Sequence, residues 1–452
     1  MESFDIIIIG AGAAGLNAAF SAVENGKKTV LIDKYRPGGE CTWSGCIPSK
    51  AFLQIAKEYQ QVKKHTPAVE INTALIMDTV RERVQVAHVN ESVEKIQENG
   101  IYYICGHAEI QTNNSVKVND EIVYGDSIII ATGSHARIPT ISGLQDIEYL
   151  TNENFFQQKE LPTSLLVIGG GPIGIELAQA SSRLGVEVIV VERNPRILMQ
   201  EEEVTSELIQ HTVEYEGVEV HTSARVETIE TQSSGIVCTI INSSGDKIIR
   251  QVHKVLLATG REPNSFNIGL KNVGIEKVDE YIKVDECFQT SIPNIYAVGD
   301  VIGTYLFSHA AGYQARELIK YICSAGNHKI KHLDHTNITW STFTEPEVAR
   351  LGLTEVKASE IYSNIQVLYL SYKELDRAIV DDKTTGFAKV ICDSKGYIVG
   401  ATIVGERASE LLSELQLARM EGIPIQNIKN TIHSYPSYSE LIYLLSTNYS
   451  LV

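Results

Sequence analysis

The stretch FDIIIIGAGAAG, residues 4–15, is an apolar run that ends in Gly10-x-Gly12-x-x-Gly15. Four consecutive isoleucines bounded by glycine read as a buried strand, and the LNAAFSAVENG that follows reads as a helix. About 20 residues further on, KTVLIDK is a second strand ending in Asp33, the spacing of a complete dinucleotide fingerprint. The glycines allow a tight turn and close backbone approach to a pyrophosphate. The helix N-terminus faces the phosphates, and the acid suits a ribose hydroxyl. Gly10, Gly12, Ala14, Gly15, Asp33 and the adjoining Lys34 form the first set of candidate cofactor-binding residues.

The pattern returns in SLLVIGGGPIGIELAQASSRLG, residues 164–185, with Gly169-x-Gly171-x-x-Gly174, and VEVIVVERN then ends a strand at Glu192. Each half also has a later strand running into Ala-Thr-Gly: SIIIATGS (Ala131, Thr132, Gly133) and KVLLATGRE (Ala258 to Gly260). The parallel implies an internal duplication, two βαβ units and two bound dinucleotides. IPNIYAVGDV, residues 292–301, adds Gly299 and Asp300 after a further buried strand.

A length of 452 residues allows about three domains. The net charge of −17, from 39 basic and 56 acidic residues, argues against nucleic acid and anionic membrane as partners. No apolar run approaches the roughly 20 residues of a membrane span. The start, MESFDIIIIG, lacks the basic region and longer apolar core of a signal peptide, so a cytoplasmic protein is expected.

Two of seven cysteines lie close together in GGECTWSGCIPSK, residues 38–50. A metal site, a structural disulfide and a redox pair are the alternatives. In a reducing compartment a close pair is metal-binding or redox-active more often than structural. Cys105, Cys238, Cys287, Cys323 and Cys392 are scattered through apolar strings and read as buried thiols, so a four-ligand zinc site lacks partners; no metal is expected. A helical pattern starts at Cys46, where the helix dipole favours a thiolate. Gly38 and Gly39 let the backbone approach something large and flat, and Pro48 suits a first helical turn. A redox pair beside a flat cofactor accommodates all of this.

With these motifs in place, the chain resembles the FAD-dependent pyridine nucleotide–disulfide oxidoreductases, the family of dihydrolipoamide dehydrogenase, glutathione reductase and mercuric reductase. The resemblance runs nearly end to end. It implies an α/β fold: two Rossmann-like domains, for FAD (1–149 and 273–338) and for NAD(P) (150–272), plus a C-terminal α+β dimerisation domain (339–452). GFAKVICDSKGYIVGATIVG, two strands around a turn, and the helical ASELLSELQLARMEG agree with a sheet and covering helix there. The family implies Cys46 as the flavin-proximal thiolate, Cys41 as the interchange thiol, Lys50 near the flavin with Glu176 as its partner, and Gly39 and Gly260 in the cofactor walls. A homodimer is implied, with each active site completed by the other subunit.

Two places depart from the family. Its usual loop reads like VNVG, whereas this chain has Thr42-Trp43-Ser44-Gly45, with Trp43 either packing on the domain or shaping the disulfide pocket. Near the C-terminus, in TIHSYPSYSELIY, Tyr435 occupies the place of the family His before Pro436, and Glu440 keeps the position of its Glu partner. A phenol with an ordinary pKa near 10 is a poor base at neutral pH but can donate a hydrogen bond. If the segment is extended, His433 shares a side with Tyr435 and can assist. Mercuric reductase also has Tyr at a related place. However, no metal-binding domain precedes the FAD domain and LLSTNYSLV carries no vicinal cysteines.

The expected function is therefore that of a mercuric-reductase-like flavoenzyme passing electrons from NAD(P)H through FAD to Cys41–Cys46 and on to a small oxidised substrate. The alternatives are a dihydrolipoyl dehydrogenase and a non-catalytic flavoprotein redox sensor. Glu192 at the strand end favours NADH; Arg193 and Arg196 keep NADPH as the alternative.

Overall fold

The structure, a computed structural model, describes residues 3–233, 235–334 and 337–449. Strand Ser3–Ile9 lies inside a seven-stranded sheet. The parallel strands run in the order Tyr102–Cys105, Thr29–Asp33, Ser3–Ile9, Glu121–Ile130 and Ile295–Ala297. Glu121–Ile130 then continues antiparallel to Ser115–Val118, which pairs with Ala108–Thr112. Ile6 and Ile8 pack in one core with residues of helices Ala13–Glu24 and Ser308–Cys323, while Ile7 and Ile9 point into a second core on the other face. A parallel strand buried on both faces needs no alternation, which is why the sequence shows a solid isoleucine run.

The second sheet is wholly parallel, in the order Glu219–His221, Glu187–Val191, Ser164–Ile168 and Lys254–Leu257. A three-stranded antiparallel sheet, Arg225–Gln232, Gly235–Ile241 and Lys247–Val252, shares its core. The short pair Ser134–Ala136 and Arg261–Pro263, each just past an Ala-Thr-Gly, ties the two halves together.

The halves repeat one another at the level of single atoms. Gly10 has φ +106° and a Cβ there would stand 2.3 Å from the Ala131 carbonyl oxygen; Gly169 has φ +116° and would meet the Ala258 oxygen at 2.2 Å. A Cβ on Gly15 would fall 1.7 Å from the Gly10 oxygen, and one on Gly174 would fall 2.1 Å from the Gly169 oxygen. Asp33 Oδ2 accepts from the Ala11 N–H at 2.6 Å, and Glu192 Oε2 accepts from the Gly170 N–H at 2.6 Å.

The remaining chain forms a five-stranded antiparallel sheet, ordered Thr339–Thr342, Glu347–Gly352, Ile398–Gly405, Phe387–Asp393, Ile365–Ser371. Helices Ala408–Met420 and Glu440–Thr447 share one core with it. The hairpin and helix read from the sequence both form there. Arg183, 5% exposed, clamps this region to the second sheet's helix Pro172–Arg183, bonding Glu216 at 2.6 Å and Glu345 at 2.7 Å. Among the described residues no helix is long and apolar enough to cross a membrane.

Gly15→Ala should therefore lift helix Ala13–Glu24 off its strand and destabilise the protein by about 1–3 kcal/mol, the usual range for overpacking. Urea unfolding reads this as a lower midpoint; an unchanged midpoint would contradict the contact.

Candidate active site

The C-terminal ends of both parallel sheets open on one cavity of about 3770 Å³. Sites for a single small ligand usually measure about 300–1,000 Å³. Gly10, Gly12, Ala14, Asp33, Lys34 and Gly39 line one end, Cys41, Cys46, Lys50 and Glu176 the middle, and Gly171 and Glu192 the other end. Ala131, Thr132, Gly133, Gly260, Gly299 and Asp300 complete the wall. Gly15, Gly169 and Gly174 are not among the lining residues and set helix-to-strand contact instead.

The wall fits two dinucleotides. Helices Ala13–Glu24 and Pro172–Arg183 start at Gly12 and Gly171, and neither has a side-chain cap. Their first N–H groups are left for a ligand, and the helix dipoles favour an anion there. Gly39, at φ +61°, brings the redox loop so close to Gly12 that a Cβ would stand 2.6 Å from the Gly12 Cα, so the wall is bare backbone. Asp300 accepts from the Ser134 hydroxyl at 2.5 Å and Gly299 N–H donates to Gln314 at 2.9 Å. Burial raises the Asp300 pKa against the pull of Ser134 and Arg261.

The redox segment is a short helix, Gly39–Trp43, followed by a turn and the helix Cys46–His65. Cys41 is half-buried and Cys46 opens on the cavity. The interaction between the two thiols, with Lys50 and Ser308 helping against burial and Glu176, pulls the Cys46 pKa down to about 6. The same interaction and burial raise that of Cys41. The pair therefore loses its first proton from Cys46. Lys50 Nζ lies 2.8 Å from Glu176 Oε2 and 4.4 Å from the Phe343 ring centroid, and the Phe343 N–H fixes Glu176 Oε1 at 2.8 Å.

Trp43 packs on its own domain, the first of the two alternatives. It lines the cavity, donates to the Pro37 carbonyl at 2.6 Å, and packs against the Arg36 guanidinium and His88. Thr42 anchors the loop to Glu91 at 2.6 Å. Of the other cysteines, Cys238 and Cys392 are buried as expected, and Cys287 and Cys323 half-buried. Cys105 is exposed, contrary to expectation, because the end of its strand reaches the cavity rim. Among the described residues no group of three or more His, Cys, Asp or Glu side chains is arranged to hold a metal ion.

The structure does not bring Tyr435, His433 or Glu440 to this chain's own cysteines; none lines the cavity. His433 does not assist Tyr435, because its Nε2 pairs with Glu414 at 3.1 Å and its Nδ1 meets the Thr431 carbonyl. Tyr435 is 68% exposed and donates its proton to Asp376 Oδ2 at 2.7 Å, so in this conformation the phenol is not a free donor. Glu440 Oε2 is buried without a hydrogen-bond partner.

Sequence reading missed Ser308, whose hydroxyl lies 3.8 Å from Cys46 Sγ at the start of helix Ser308–Cys323. It also missed the ion pair of Glu40 with Arg261, which is joined by Asn152 and by Ser134, 2.7 Å from Arg261 Nε. Glu40 beside Cys41 and Arg261 directly after Gly260 were signals of position, since each adjoins a motif residue.

The family model described as pyridine nucleotide-disulphide oxidoreductase matches residues 4–315, and that of the dimerisation domain matches residues 338–444. A dihydrolipoyl dehydrogenase of Bacillus subtilis (strain 168) is 32% identical over 452 residues, covering 97% of this chain and 94% of that one. A mercuric reductase of Lysinibacillus sphaericus is 30% identical over 447 residues, covering 97% and 81%. The HOCl-induced flavoprotein disulfide reductase RclA from Escherichia coli has the same fold, with TM-score 0.88, 26% identity and coverage of 99% and 100%.

The lowered Cys46 pKa means that its thiolate persists as pH falls until about 6. The thiolate absorbance of the reduced protein, minus that of Cys46→Ser, should titrate with a midpoint near pH 6, and Lys50→Met should move it upward. A midpoint in the ordinary thiol range, near 8.5, would count against this geometry.

Proposed function

Because this chain belongs to the pyridine nucleotide-disulphide oxidoreductases, enzymes that use FAD and NAD(P)H, we propose that it carries electrons from NADH to a small oxidised substrate through Cys41 and Cys46. The observation that carries this reading is a cysteine pair with a thiolate-prone member in the same cavity as both glycine fingerprints. The sheet partition supports assigning residues 1–149 and 273–338 to FAD, 150–272 to the nicotinamide, and 339–452 to the dimer face.

Bound FAD supplies two-electron transfer between the nicotinamide and the dithiol. The chain's residues do the rest. Gly10, Gly12 and Gly39 admit a pyrophosphate to bare backbone, and Asp33 stands ready for a ribose hydroxyl. Lys50, held by Glu176, places a positive charge beside Cys46 and keeps it anionic. Cys41, which retains its proton longer, is the thiol that meets the substrate. The second copy of a homodimer is proposed to complete that side with Tyr435.

Tyr435 separates this chain from a dihydrolipoyl dehydrogenase, where the resemblance puts a histidine base. The proposed acceptor is a small electrophile that needs no such base: a disulfide, a mercuric ion, an oxidised halogen or sulfur species, or a quinone. NADH consumption measured across these acceptors, with dihydrolipoamide as the contrast, tests the reading. Strong dihydrolipoamide activity would overturn it.

The cysteine roles predict an asymmetric result. Cys41→Ser should show a long-wavelength thiolate–flavin absorbance band without added reductant, and Cys46→Ser should show none; the reverse pattern would exchange their roles.

The nicotinamide choice rests on Glu192, which is buried at its strand end with Oε1 accepting from the Asn194 N–H at 2.7 Å. A 2′-phosphate would face that carboxylate. Arg193 is exposed and not among the cavity-lining residues, whereas Arg196 lines the cavity. kcat/KM should favour NADH over NADPH, and Glu192→Ala should shrink the preference. An NADPH preference that collapses when Arg196 is removed would reverse the assignment.

A further inference from the structure

We infer that Gln179 is a positioning residue of the dithiol site: it clamps the backbone at Glu345 and so fixes how Glu176 is shared between the Phe343 N–H and Lys50. The inference rests on the proposed reading in which Cys46 is the thiolate beside the flavin.

Glu176, Gln179 and Arg183 stand at i, i+3 and i+7 on helix Pro172–Arg183 and so share one of its faces. They are 5%, 1% and 8% exposed. All three hold the segment Phe343–Glu345, which joins strands Thr339–Thr342 and Glu347–Gly352 of the C-terminal sheet. Glu176 Oε1 accepts from the Phe343 N–H at 2.8 Å. Gln179 Oε1 accepts from the Glu345 N–H at 2.9 Å, and its Nε2 donates to the Glu345 carbonyl at 2.8 Å. Arg183 takes the Glu345 side chain at 2.7 Å. A side-chain amide carries donors and an acceptor together, which matches the N–H and C=O of a single residue.

Charges tie the same segment to the helix that carries the cysteine. Lys50 and Lys57, seven residues apart, share one face of helix Cys46–His65. Lys50 bonds Glu176 Oε2 at 2.8 Å, and Lys57 lies 3.5 Å from Glu345 Oε1 and 2.9 Å from Glu406 Oε1. Lys383 also pairs with Glu345. These ion pairs reach Glu345 through its flexible side chain, whereas Gln179 grips its backbone, two residues beyond the Phe343 N–H.

Glu176 divides its two oxygens between that N–H and Lys50. If the N–H withdraws, both oxygens turn to Lys50 and offset more of its charge. Cys46 is supported by Lys50 and Ser308 and opposed by Glu176, besides its interaction with Cys41 and its burial. Loosening the backbone at Glu345 therefore weakens the thiolate, through a residue that does not itself line the cavity.

The test follows the long-wavelength thiolate–flavin band of FAD-loaded Cys41→Ser as pH is varied, because in that variant the band reports Cys46 alone. Adding Gln179→Met, which fills similar space without an amide, should raise the midpoint by about half a pH unit, a fraction of one hydrogen bond's effect. With Glu176→Gln also present the shift should vanish, since the charge that Gln179 positions is gone. Gln179→Asn, one methylene too short to reach Glu345, should raise the midpoint as well and serves where the methionine variant does not retain FAD. An unmoved midpoint in the Gln179 variants, or the same rise in the Glu176→Gln background, would overturn the role of Gln179 while leaving the thiolate in place. Absence of the band from Cys41→Ser would overturn the underlying reading and the inference with it.

Discussion

A single carbonyl oxygen, that of Gly10, governs the layout. It lies where a Cβ on Gly15 would have to stand, so helix Ala13–Glu24 can sit on the sheet only at the depth glycine allows. That depth leaves the helix's first N–H groups at the open end of the strands, uncapped and facing the cavity. The same contact recurs between Gly174 and the Gly169 oxygen, and it aims a second uncapped helix at the same space. Two anion-seeking ends facing one cavity leave its middle to the redox loop, whose Gly39 touches Gly12.

The middle is governed by charge. Lys50 is the cation nearest Cys46, yet it is shared with Glu176, whose own charge opposes the thiolate. The Phe343 N–H fixes the other oxygen of Glu176. The balance leaves a thiolate favoured at neutral pH while Lys50 itself stays paired. On the opposite side, Arg261 joins Glu40, Ser134 and Asp300, so the loop carrying Cys41 is tied to both halves of the molecule through one guanidinium. Arginine suits this because its planar fork satisfies several oxygens at once.

Much of this was legible in the sequence because it rests on local rules. Glycine spacing, isoleucine runs and an acid at a strand end fix a βαβ unit within some thirty residues, and helix Cys46–His65 begins where its pattern begins. What escaped depends on contacts between distant segments. Ser308 reaches Cys46 across 262 positions, and Glu40 meets Arg261 across 221. No periodicity announces either. The C-terminal segment misled for a related reason. Spacing put His433 and Tyr435 on one side, but Glu414 captured the histidine and Asp376 the phenol, each from a helix that spacing cannot locate. Cys105 was misread because an apolar string does not reveal which strand end meets solvent.

The order of strands in the first sheet has a consequence for synthesis on the ribosome. Strand Glu121–Ile130 pairs on one side with Ser3–Ile9, but its other neighbour along residues 128–130 is Ile295–Ala297. The second sheet, residues 164–257, emerges entirely between them. The inserted unit can therefore close while the first sheet still presents an unpaired edge to the crowded space outside the exit tunnel. Such edges recruit stray strands. At roughly 5–20 residues per second that exposure lasts on the order of ten seconds or more. The nascent chain thus carries its aggregation hazard at residues 128–130, in a segment that the finished molecule buries completely.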